Sequence, residues 1–147
     1  MCVITKPGHI TSSTQAVARI VSSVFTVAAF KTVEKSWGQE DWLVNTELYC
    51  AKVLTLNQYC GGSYHGHEFK DETFLCLLGE AILLLGNTPH HANIVNLLPG
   101  VFVRIPPKTP HLLIGLSEVP VQILEVSTHH SDDDVVRQWR IDGTANV

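Results

Sequence analysis

The residues best equipped for chemistry lie at positions 63–79, SYHGHEFKDETFLCLLG. His65 and His67 stand one residue apart, and Glu72 follows shortly after. Two histidines at that spacing point the same way only on an extended strand, where side chains repeat every second residue. Two imidazoles and a carboxylate suit a divalent Zn, Mn, Fe or Ni ion and leave coordination positions open to a substrate. His111, directly after the turn PPKTP at 106–110, is a fourth candidate ligand. This pattern predicts a metal site inside a small β-barrel.

The elements that must position these residues are short strands. LYCAKVLTLN at 48–57 alternates as a strand, and Gly61 and Gly62 mark the turn before His65. The segment 72–78 is a second strand, with Gly79-Glu80 as a hairpin turn into AILLLG. Further apolar runs at 94–98, 101–105, 112–116 and 121–126 are separated by Pro/Gly turns. Many short strands with such turns imply an all-β barrel or jelly roll. SDDD at 131–134 begins the last charged stretch and predicts a short C-terminal helix, with serine as cap and acids in its first turn. Residues 1–30 are expected to form an N-terminal arm and an extra strand, and 31–147 the barrel domain.

Bulk properties narrow the partners. The chain has 147 residues and a net charge of -4, enough for one domain and without a basic footprint for nucleic acid. No apolar run has the roughly 18 residues needed to span a membrane. Four cysteines without a C-x-x-C pair are expected to be free thiols in a reducing compartment. Arg19, Ser22 and Ser23 interrupt the apolar stretch 16–30 that could otherwise be a signal peptide, so a cytoplasmic protein is expected.

These residues resemble the cupin superfamily. Its first motif, G-x5-H-x-H-x3,4-E-x6-G, is matched at His65, His67, Glu72 and Gly79, with Tyr59 in place of the leading glycine. Its second, G-x5-P-x-G-x2-H-x3-N, is matched at Gly100, Pro106 and His111, with Lys108 and Gly115 at the usual glycine and asparagine. SWGQEDWLVN, then H-x-H-x4-ETF, and the tail VSTHHSDDDVVR look like the sugar-isomerase branch of that superfamily. The resemblance implies a single jelly-roll barrel, a divalent metal held by His65, His67, Glu72 and His111, and a small carbohydrate substrate. It also implies a homodimer.

A divalent ion bridging two substrate oxygens acidifies the neighbouring C–H and O–H, which suits aldose–ketose isomerisation. Glu72, Lys70 and Lys108 are the candidate proton relays. Lys52, Arg104 and Trp42 are the candidate substrate contacts, on strand parity and on aromatic character. Cys76 is expected to be a buried structural thiol. His90, His91, His129 and His130 are expected at the surface, and Asp132, Asp133, Asp134 and Arg137 to lace the terminal helix. The same ligand set also serves non-haem iron dioxygenases and non-catalytic binding proteins.

Overall fold

Alternation of apolar and polar residues decides which strand faces meet. In the computed structural model, which describes residues 28–139, eleven strands follow one another: β1 Lys31–Lys35, β2 Gly38–Asn45, β3 Cys50–Leu56, β4 Tyr64–His67, β5 Glu72–Leu78, β6 Ala81–Leu85, β7 Asn93–Leu97, β8 Phe102–Ile105, β9 His111–Gly115, β10 Val121–Ser127 and β11 Val135–Trp139. They form two antiparallel sheets, ordered β1-β2-β3-β10-β5-β8 and β11-β4-β9-β6-β7. From β3 onward the chain crosses repeatedly between the sheets, as in a jelly roll. Of the extra strand expected from residue 16 to about Val33, residues 16–27 lie outside the described residues, residues 28–30 are not strand, and β1 begins at Lys31.

Each central strand buries every second side chain. In β3 these are Cys50, Lys52, Leu54 and Leu56; in β10, Val121, Ile123, Glu125 and Ser127. One end of each inner face is therefore aliphatic and the other polar. The aliphatic ends meet the inner faces of β6, β7 and β9, where Leu83, Leu97 and Leu113 close the core. A fully buried leucine or isoleucine of this kind contributes roughly 1.5–3 kcal/mol. The polar ends are left to line a cavity.

Backbone constraints fix the corners. Gly38, at φ +144°, starts β2 where an added Cβ would lie 1.9 Å from the Thr55 carbonyl oxygen, so no side chain fits. Tyr59 and Lys108, which replace motif glycines, are the two non-glycine residues with positive φ among the described residues (56° and 63°). The backbone keeps its left-handed turns after the glycines are gone.

Two expectations are corrected. Gly79-Glu80 is a corner rather than a hairpin, because β5 and β6 belong to different sheets. The C-terminal helix is a single 3-10 turn, Asp132–Asp134, followed by β11. Ser131 does cap that turn, accepting from the Asp133 N–H at 3.3 Å. The helix stops there because β-branched Val135 and Val136 pair with His67 and Gly66 of β4. No helix among the described residues is long and apolar enough to cross a membrane.

Candidate functional site

His65 and His111 sit directly opposite one another on β4 and β9, and their rings lie 4.6 Å apart. His67, two residues along β4, shares that face, its ring 5.2 Å from His65 and 6.2 Å from His111. Glu72 opens β5 in the other sheet and reaches across. Its Oε2 is 3.2 Å from His111 Nε2, and its Oε1 is 3.6 Å from His67 Nε2. Four residues from three strands and two sheets thus line one cavity of about 690 Å³.

Local hydrogen bonds orient two of the imidazoles. His65 Nδ1 lies 2.8 Å from the Ser63 carbonyl and His111 Nδ1 2.9 Å from the Thr109 carbonyl. Each Nδ1 therefore carries the proton and donates, leaving Nε2 as a lone pair turned inward. His111 Nε2 is buried with no hydrogen-bond partner. Burial lowers the pKa of all three histidines, with a neighbouring imidazole adding to the effect for His65, which is pushed down to about 4. Burial opposes ionisation of Glu72, but Lys70, His111 and His67 outweigh it and hold its pKa below the usual carboxylate value.

Neutral imidazole lone pairs, an ionised carboxylate and the orphaned His111 Nε2 are a donor set that fits a divalent cation. The side chains are nevertheless turned on one another. Among the described residues no three His, Cys, Asp or Glu donors stand around a common point as a ready-made coordination shell. One reason is visible at Glu72, whose Oε1 accepts from Lys70 Nζ at 2.6 Å.

Lys70, expected beside the site on a loop, is buried. Its Nζ also lies 2.5 Å from Glu125 Oε1. Burial disfavours the ammonium, yet Glu125 and Glu72 raise the pKa of Lys70 above its ordinary value. Its backbone is held by Asp134, whose carboxylate accepts from the N–H groups of Glu68, Phe69 and Lys70 at 3.0–3.1 Å. Asp134 Oδ2 also stands 3.6 Å from His67 Nδ1. Asp134 therefore laces the 68–70 loop to the start of β11, not a helix as its sequence context suggested.

Lys52 faces inward, as its strand parity allowed, and is buried. Its Nζ lies 3.5 Å from Glu40 Oε2, 3.2 Å from His130 Nδ1 and 4.0 Å from the centre of a Trp42 ring. Trp42 lines the same cavity and donates from Nε1 to Glu40 Oε2 at 2.9 Å. His130 was expected at the surface; it packs edge-on against Trp42 instead, because Asn45 holds its backbone through both its N–H and its carbonyl.

Two other expectations are corrected. Lys108 is exposed and paired with Glu68 at 2.7 Å, outside the cavity, since its left-handed backbone turns the side chain outward. Arg104 shares the outward parity of Phe102 and pairs with Asp71 on the surface. Glu125 and Glu40 were missed, although both were readable. Glu125 alternates with Val121 and Ile123 on β10, and Glu40 with Trp42 on β2. The cysteines at 50, 60 and 76 are free.

No family model matches this chain, and neither does any curated protein. Solved structures do. KdgF from a Halomonas species is 21% identical with a TM-score of 0.59, over 72% of this chain and 92% of that one. The capsular polysaccharide assembling protein CapF from Staphylococcus aureus is 15% identical with a TM-score of 0.65, over 81% of this chain. Oxalate decarboxylase from Bacillus subtilis is 16% identical with a TM-score of 0.66, over 84% of this chain. This chain spans about a third of the length of the last two (34% of each). All three have the cupin fold, and so does this chain.

Proposed function

We propose that this protein is a divalent-metal-dependent enzyme acting on a small carbohydrate, with aldose–ketose isomerisation of a sugar or sugar phosphate as its reaction. The observation that carries the proposal is the orientation of His65 and His111: both tie Nδ1 to a carbonyl two residues back, which leaves Nε2 as the ligating lone pair, and His111 Nε2 stands 3.2 Å from Glu72 Oε2. His65, His67, Glu72 and His111 would hold the ion. When bound, it would act as a Lewis acid on a carbonyl oxygen of the substrate.

The remaining groups divide the work. Lys70 Nζ holds its proton between two carboxylates, so it serves a substrate oxygen as a cationic donor, not as a base. Lys52 and Trp42 offer a cation and an aromatic face on the same wall, a surface suited to hydroxyls or a phosphate. The sugar reading is favoured by the likeness of the WG and DDVVR segments to sugar-isomerase cupins, and by one neighbour whose name concerns polysaccharide assembly. A homodimer belongs to the same reading. An apolar row of Val53, Leu124, Leu75 and Phe102 runs in register across the outer face of the larger sheet, a surface that a second copy would cover.

The test is to measure metal content in the purified protein and then incubate it with aldoses, ketoses and their phosphates, following interconversion by NMR. Metal at about one equivalent and conversion of at least one pair are expected. Full metal content in both His65→Ala and His111→Ala would refute the ligand assignment. Turnover of none of the sugars by metal-loaded protein would refute the isomerase reading.

A further inference from the structure

Among the described residues, only Lys70 has an ammonium that bridges two buried carboxylates. Glu72 is one of the proposed ligands, whereas Glu125 is not. Glu125 Oε1 faces Lys70 and, at 3.4 Å, the Ser127 hydroxyl. An ammonium and a metal ion draw on the same carboxylate lone pairs. They also repel each other strongly when a low-dielectric wall surrounds both. Any cation held at Glu72 must therefore contend with Lys70, and Lys70 has a second seat at hand.

We propose that Lys70 and Glu125 set the affinity of the metal site in opposite directions. Lys70 weakens binding by sharing the Glu72 carboxylate. Glu125 strengthens it by receiving the ammonium when Glu72 turns toward a metal ion. The inference rests on the metal-site reading above. The geometry suits an exchange of this kind, because Nζ already touches both carboxylates and a side-chain rotation moves it wholly onto Glu125. Asp134 fixes the Lys70 N–H at 3.0 Å, so the side chain swings from an anchored base. The charge also stays in the cavity wall after the exchange, where it meets an anionic oxygen of a bound substrate. Glu125 is thus a positioning residue that acts through Lys70.

A purely structural ion pair behaves differently. Removing either partner leaves the other charge buried and unpaired, and both single variants then lose metal binding through misfolding. The proposal predicts opposite signs. The test uses the full chain as wild type, Lys70→Met, Glu125→Gln and the double variant, each titrated with Co²⁺ near neutral pH and followed by its visible absorption. Lys70→Met is expected to bind Co²⁺ at least about tenfold more tightly and Glu125→Gln at least about tenfold more weakly. Because Glu125 acts through Lys70, the double variant is expected within about threefold of Lys70→Met.

The double variant keeps the buried charge balanced. Comparing it with Glu125→Gln therefore measures the Lys70 effect a second time, should Lys70→Met alone fail to fold. Single variants shifted in the same direction overturn the proposal, as does a Lys70 effect below about twofold on both backgrounds. Either result leaves the metal site standing. Absence of Co²⁺ binding in all four proteins overturns the metal-site reading, and this inference with it.

Discussion

Removing the Asp134 carboxylate should loosen the loop that carries Lys70, and the cost can be worked from the contacts. In Asp134→Ala three backbone N–H groups lose a charged acceptor: Glu68 and Phe69 from Oδ1, Lys70 from Oδ2. The first two lie in exposed surroundings and can turn to water, so each loss costs about 0.5–1 kcal/mol. The Lys70 N–H is partly buried and costs more, about 1–2 kcal/mol. The sum is about 2–4 kcal/mol, or a fall in Tm of roughly 6–15 °C for a domain of this size. Asp134→Asn keeps one oxygen and should fall between wild type and alanine. Thermal denaturation followed by circular dichroism is the assay, with Glu47→Ala, an exposed acid, as control. A change under about 0.5 kcal/mol for Asp134→Ala, or asparagine falling below alanine, would refute the reasoning.

Acid should destabilise the fold through its inward histidines. Burial, Lys52 and Lys70 push His130 down to about 4, against about 6.5 in the unfolded chain. The unfolded chain binds the extra proton between those values, so stability is full above about pH 6.5 and declines toward pH 4. His130→Asn should flatten part of that decline in urea titrations run across the window, and an unchanged slope argues against it. At the left-handed Lys108, Lys108→Gly should be about 1 kcal/mol more stable than Lys108→Ala, and the reverse order in denaturant melts would show that the turn carries no strain. Light scattering on the full chain should give the mass of a dimer; a monomer at all concentrations removes that part of the proposal.

Much of this was legible in one dimension, for definite reasons. His65 and His67 share a face because a strand repeats every two residues, and the same rule turned Lys52 inward. The rule failed where the backbone departs from a plain strand. Arg104 lay on an even parity whose sense only the β5–β8 register fixes: Thr73 faces out, and so does its partner Arg104. At Lys108 a positive φ sent the side chain to Glu68. The cap at Ser131 was readable, but the helix after it was not formed, since tertiary pairing with β4 won over local signals.

What the chain determined by itself was the set of candidate donors and the scaffold: three imidazoles and an acid at strand spacing, separated by turn residues, in a chain of net charge -4. Those features are local, fixed by side-chain type and by the period of extended backbone. Which charges meet was decided only in three dimensions. Lys70 reaches Glu125 across a separation of 55 residues, and Lys52 reaches His130 across 78. Both contacts exist because antiparallel registers bring β10 beside β3 and β5, and no local spacing encodes which strands become neighbours.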